Sequence, residues 1–268
     1  MSVYTDLAAE VYGPRRGRLP AGVRVETRYA GEVTVTRVTI ACDGLARRRG
    51  RYVTLELPGF TAPEDRGGLA MRALAHELRN LLPAQGDLLV VGLGNEAVTA
   101  DALGPAVCRQ ILVTRQLPQD AAARREFGLR GAASFCPGIE ARTGLTAAES
   151  VRSIAAALRP AAVLCVDSLC TGEPARLGRT VQLTDTGICP GGDERRRIDA
   201  ALLGVPTLGL GVPTLMDASE LCPGCVRLAV TPREIDAVVA RAAALLAMAI
   251  NCALHTGLAP EELRRIVS

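Results

Sequence analysis

Two aspartates that follow apolar runs are the residues best placed to do chemistry. Residues 88–105 read LLVVGLGNEAVTADALGP: a buried-type strand, a Gly-rich turn at Gly92-Leu93-Gly94-Asn95, then Asp101 ahead of Gly104-Pro105, where a helix can begin. Residues 161–167 read AAVLCVD, a second apolar run that ends in Asp167. Open α/β sheets keep their sites at the carboxyl ends of central strands, so the two acids point to paired-carboxylate chemistry. Taken singly, Asp101 reads as an N-cap for the following helix and Asp167-Ser168 as a strand-end turn. A third acid, Asp185 in Asp185-Thr186-Gly187, reads equally as an Asx turn.

The elements that must position these acids can be read from periodicity. Residues 1–30 are polar and irregular, rich in Arg, Gly and Pro. Residues 32–40 alternate and read as a strand, with residues 52–57 as its partner. Leu74, Leu78, Leu81 and Leu82 share one helical face within residues 69–82. Thr146 and Glu149 form a capping box ahead of Val151, Ile154 and Leu158, and Pro160 ends that helix. Further strands are expected at residues 180–183, 205–210 and 226–230. Thr231 and Glu234 form a second capping box before a long apolar helix from Ile235 to Leu254, read as buried because it carries Asp236 and Arg241. Strands alternating with helices predict a three-layer α/β fold, a mostly parallel central sheet with helices on both faces, plus a small N-terminal β-hairpin region.

Composition removes several functions. Of the 268 residues, 49% are hydrophobic and 22% charged, enough for a packed core. Aromatics make up 3% with no Trp, and net charge is +3, so stacking on bases and general polyanion binding are poor fits. All 31 basic residues are Arg, which excludes Lys nucleophiles, Schiff bases and a GK[ST] phosphate loop. Gly92-Leu93-Gly94 with Ala97 begins like a dinucleotide fingerprint, but the helix starts too late and Asp101 would repel phosphate. The two His, His76 and His255, lie beside no candidate nucleophile, and GxSxG and HExxH motifs are absent. Cys222-Pro223-Gly224-Cys225 has no second ligand pair and reads as a turn. No cofactor, metal, nucleic acid or membrane is expected.

Nearly end to end, the chain resembles the spore germination protease family, endopeptidases that degrade small acid-soluble spore proteins. The resemblance rests on Thr5-Asp6-Leu7-Ala8-Ala9-Glu10, GRYVTLE at 50–56, GLGNEAVTADALGP at 92–105, Val113-Thr114-Arg115, Pro137-Gly138, Thr143-Gly144, Val166-Asp167-Ser168-Leu169, DTGICPG at 185–191, LGVPTLGLGVPTLMDA at 203–218 and Val230-Thr231-Pro232. Ala100 stands where the family has Pro, Gln116 where it has His, and a charged run at 192–197 replaces a Gly-rich segment. Hydrogenase-maturation proteases share the implied fold. The resemblance implies an atypical aspartic endopeptidase with Asp101 and Asp167 as its essential pair. It also implies a zymogen in the developing spore (a cytoplasmic location in the forespore and spore core) and a homotetramer. The family's substrate pattern, Thr/Ser-Glu-Phe/Ile-Ala-Ser/Thr-Glu cut after the first Glu, is mimicked at residues 5–10. That implies self-cleavage between Asp6 and Leu7, with residues 1–6 as propeptide and residues 7–268 as one peptidase domain.

On that reading two close carboxyls share one proton; the ionised one activates water and the protonated one donates to the leaving amine. The amides of Gly92, Gly94 and Asn95 are expected as oxyanion donors. Arg115, Asp185, Arg195 and Arg197 are expected near an acidic substrate, where Arg binds carboxylates well. Metal-assisted hydrolysis through the same two acids, and an inactive peptide-binding relative, are the alternatives.

Overall fold

The computed structural model describes residues 5–13, 18–60, 68–118, 122–218 and 228–267. In chain order the elements are α1 (Ala8–Tyr12), β1 (Val23–Ala30), β2 (Val33–Ile40), β3 (Gly50–Glu56), α2 (Leu69–Leu81), β4 (Leu88–Gly92), α3 (Leu103–Cys108), α4 (Ala122–Glu126) and β5 (Ala132–Phe135). There follow α5 (Glu140–Thr143), α6 (Ala147–Leu158), β6 (Ala162–Thr171), β7 (Thr180–Thr184), α7 (Ala200–Leu203), β8 (Thr207–Asp217), β9 (Ala229–Val230), α8 (Ile235–Leu254) and α9 (Pro260–Val267).

One mixed sheet runs β1-β2-β3-β7-β8-β6-β4-β5, with β9 on β8. Its middle, β8-β6-β4-β5, is parallel; the remaining pairs are antiparallel. Every residue of β4 is buried, the pattern of a parallel strand covered on both faces. Helices α2, α3 and α8 cover one face through Leu74, Leu78, Val107, Leu246 and Ile250. Val151 and Ala155 of α6 cover the other, over Leu89, Val91, Val163 and Cys165. The fold class is α/β, as expected. The expected N-terminal hairpin is β2–β3, and it continues the same sheet because β3 pairs with β7.

Local rules account for most boundaries and for the exceptions. The Thr146–Glu149 capping box is formed at both ends of the exchange. The second one is not: α8 starts after Glu234 without a side-chain cap, and the Thr231 hydroxyl donates to the Pro232 carbonyl. Helix α8 is the one described helix long and apolar enough to cross a membrane; 67% of its most apolar window is buried here, against α2 and α3. Strand β1 falls where residues 1–30 read as irregular. It is an edge strand with no fully buried residue, so apolar alternation is weak. Strand β8 runs past the expected residue 210 to Asp217, although it contains Pro213. The ladder with β6 shifts register there, between Leu169 and Cys170, which spares the missing N–H. Of the strand expected at 226–230, residues 228–230 are described and Ala229–Val230 form β9; Cys222 to Cys225 lie outside the described residues.

Candidate active site

Asp101 sits in a short 3-10 turn, Thr99–Asp101, after the Gly-rich loop that leaves β4. The Asn95 amide donates both to the Asp101 carbonyl (3.0 Å) and to its Oδ2 (2.9 Å), which aims the carboxyl inward. Gly94 makes this possible. Its φ is +110°, and a Cβ there would lie 2.0 Å from the Asp101 carbonyl oxygen. Asp101 is not an N-cap: α3 starts after Ala102, with no side-chain cap.

Asp167 lies within β6 rather than at its end, because Ser168–Thr171 stay paired with β8. The last residue of β4 to pair with β6 is Gly92, opposite Val166, so from Asp167 onward β6 outruns β4. Asp167 is 7% exposed, and its Oδ1 accepts from the Ser168 amide at 2.9 Å. Burial pushes its carboxyl well above the ordinary range, and the negative charges of Asp101 and Asp6 push it further. Burial also raises Asp101, against the Asn95 amide. Both sequence-predicted carboxyls are thus raised, and the charge of Asp101 is one cause of the shift at Asp167.

The segment carrying Asp6 and Leu7 lies across this site, where β4 leaves the flank of β6 open. The Asp6 amide donates to the Cys170 carbonyl (2.9 Å), and the Cys170 amide donates to Asp6 Oδ2 (2.7 Å). Gln182 Nε2 donates to the Asp6 carbonyl, and the Ala8 amide donates to Gln182 Oε1 at 2.7 Å. Leu7 is fully buried, packed in the cluster that contains Leu93, Leu169, Ile188 and Ile198. Arg47 donates to the Thr5 carbonyl. Glu10 is 4% exposed; it accepts from the Thr171 hydroxyl and from the Gly172 amide at 2.9 Å, with Arg176 4.0 Å away. Beside Asp6 opens a cavity of about 120 Å³ whose lining includes Arg47, Arg48, Tyr52, Gln182, Glu194 and Arg197.

Other expected site residues are placed differently. Arg115 faces Asp87 (3.8 Å), just before the start of β4, the opposite end of that strand from Asp101. Asp185 is no Asx turn: it accepts from the Arg51 amide and side chain, both at 2.7 Å. Arg195 is turned to Asp193 (2.9 Å) and is largely exposed. Arg197 does line the cavity, paired to Glu194, whose carboxyl it holds down at about 2. Arg48 joins Glu194 (2.9 Å) and Asp199 (3.4 Å), so the charged run at 192–197 is tied to the cavity's rim. In the Gly92–Asn95 turn, the Leu93 amide donates to the Val166 carbonyl (2.8 Å) and the Asn95 amide to Asp101. Asn95 is thus corrected from oxyanion donor to support for Asp101. Gly92 and Gly94 are spacers: a Cβ on Gly92 would meet the Gly104 carbonyl at 2.4 Å. Among the described residues no group of three or more His, Cys, Asp or Glu side chains is arranged to hold a metal ion.

Gln182 and Arg47 escape a reading of the sequence. The one signal for Gln182 is a long polar side chain inside the otherwise strand-like run TVQLT. A thiol pair also flanks Gly92. Exposed Cys136 is hydrogen-bonded to buried Cys108, which pulls the Cys136 thiol down to about 7; Arg109 helps, against partial burial. The buried partner is pushed up. Alkylation of Cys136 by iodoacetamide should reach half its maximal rate near pH 7, against about 8.5 for an ordinary thiol. A midpoint at the ordinary value would mean the two sulfurs do not share a hydrogen bond.

The family profile and the curated relatives name one family. A family profile described as "Germination protease" matches residues 15–226. The germination protease of Clostridium perfringens (strain SM101 / Type A) is 30% identical over 324 residues, covering 100% of this chain and 99% of the relative. That of Clostridium tetani (strain Massachusetts / E88) is 34% identical, covering 82% of this chain and 72% of its own. That of Bacillus cereus (strain ATCC 10987 / NRS 248) is 36% identical, covering 82% and 65%. Among solved structures, the [NiFe] hydrogenase maturation protease HycI from Thermococcus kodakarensis KOD1 aligns with a TM-score of 0.35 at 18% identity, over 65% of this chain and 98% of that one.

Proposed function

The chain belongs to the germination protease family and is a protease; on that premise we propose that it cuts small acid-soluble spore proteins by a paired-aspartate mechanism and first cuts itself between Asp6 and Leu7. The observation that carries this reading is the seat of Asp6 near Asp167, whose carboxyl is also raised by the charge of Asp101. Asp167, raised further by its neighbours, keeps the shared proton and acts as general acid. Asp101 loses its proton first and takes one from the attacking water. The pair titrates as a unit, and this division names the dominant form.

Substrate preference follows from what residues 5–10 occupy. The open flank of β6 at Cys170 offers a carbonyl to the peptide backbone and an amide to the acidic side chain before the cut. The pocket around Leu7 accepts an apolar side chain after the cut. Thr171, Gly172 and Arg176 offer donors to an acid three positions further on, as they do to Glu10. Assembly as a homotetramer and location in the spore core belong to the same proposal.

Purified full chain, incubated with a small acid-soluble spore protein and followed by N-terminal sequencing, tests it. The expected result is substrate cut after an acidic residue and a protease chain that begins at Leu7. Uncut substrate would favour a peptide-binding relative. Activity lost to a chelator and restored by a divalent metal would replace the shared-proton mechanism with a metal-assisted one.

A further inference from the structure

We propose that Gln182 is a catalytic residue of this protease, its side-chain amide donating to the oxyanion that forms on the carbonyl of the bond being cut. The inference rests on the reading that Asp6–Leu7 is cleaved in place and that substrate takes the same seat.

Gln182 grips both sides of that peptide bond. Its Nε2 donates to the Asp6 carbonyl oxygen, and its Oε1 accepts from the Ala8 amide. These partners fix which way the amide faces. A backbone N–H only donates and a carbonyl only accepts, so the opposite orientation would break both contacts. Gln182 is 5% exposed, and its backbone is held on both sides, opposite Thr54 of β3 and Gly211 of β8. A donor fixed before reaction, in a site shielded from water, is the arrangement that stabilises developing charge best. The Leu93 and Asn95 amides of the turn after β4 donate elsewhere, so Gln182 is the donor seen on this carbonyl.

The step balances with one water consumed. Water oxygen bonds to the Asp6 carbonyl carbon while the ionised aspartate takes its proton. The carbonyl electron pair moves onto oxygen, where Gln182 donates. When that pair returns, the carbon–nitrogen bond breaks and the protonated aspartate delivers its proton to the Leu7 nitrogen. The products are an Asp6 carboxyl and a Leu7 amine.

The test uses full-length chain with Gln182→Met, Gln182→Glu and Asp101→Asn, assayed on an acidic peptide in trans, with a thermal melt of each variant. Gln182→Met keeps the size and removes the donor; kcat should fall about 10²–10³-fold, with a smaller rise in KM from the lost grip on bound substrate. Gln182→Glu should recover kcat relative to wild type as pH falls, because a protonated carboxyl donates again, whereas Gln182→Met should not. A rise in KM with kcat intact, or a Gln182→Glu deficit that does not depend on pH, would reduce Gln182 to an anchor for the segment and overturn the proposal. If Gln182→Met fails to fold, the pH profile of Gln182→Glu decides alone. Wild-type cleavage by Asp101→Asn would instead sink the underlying paired-aspartate reading, so the two failures are distinguishable.

Discussion

Asp167→Asn is expected to lose peptide hydrolysis by about 10²–10⁴-fold and, in the same protein, to melt at a higher temperature at neutral pH. Activity falls because the amide can neither hold nor pass the shared proton. Stability rises because the wild-type carboxyl is carried into a nearly dry site beside two other acids. The Ser168 amide keeps its acceptor, since the Asn oxygen can sit where Oδ1 sits. The sign follows from linkage. A carboxyl raised in the folded state binds its proton more tightly there than in the unfolded chain. Its contribution to stability is complete below the ordinary carboxylate value, about 4, and is lost as pH rises through the folded value. The variant's advantage should therefore be largest at neutral pH and vanish toward about pH 4. Each kcal/mol gained corresponds to roughly 2–4 °C in a chain of this size. Paired melts and assays across pH check both halves. An active variant would dismantle the catalytic assignment, and equal melting temperatures at neutral pH would mean that the wild-type carboxyl carries no strain.

How much of this site was legible in the sequence depends on the range of the interactions that build it. The LLVV run of β4 and the AVLCV run of β6 are apolar throughout because both faces are covered, so the strands and the acids following them could be read locally. The pairing of Asp101 with Asp167 also followed, since adjacent parallel strands deliver their carboxyl ends to one place. Arg115 failed because the loop bearing it folds back to the opposite end of β4, a matter of chain path that no spacing encodes. Gln182 was silent for a related reason. Its significance lies in contacts to Asp6 and Ala8, some 174 positions away from the latter, made across the sheet. The extent of β6 past Asp167 was hidden too, because it depends on where β8 continues and β4 stops.

Gly94→Ala is expected to cost activity about as heavily as losing one carboxyl, though Gly94 takes part in no chemistry. Alanine at φ +110° is strained in itself, at roughly 1–3 kcal/mol. Its Cβ would also lie 2.0 Å from the Asp101 carbonyl oxygen, closer than any real contact, and a tight 3.0 Å from Oδ1. The turn must open, and the atoms that give way are those holding the acid: the Asn95 amide loses the Asp101 carbonyl and carboxyl together. Asp101 then swings away from Asp167. A shift of about 1 Å in reacting geometry is enough for a 10²-fold loss. Stability should fall by only a few kcal/mol, because the loop is partly exposed and the sheet beneath it is untouched. Activity and melting measured on the same preparation separate this from general unfolding. Full activity in Gly94→Ala would mean that the tight turn does not set the position of Asp101, and the geometric basis for the pair would have to lie elsewhere.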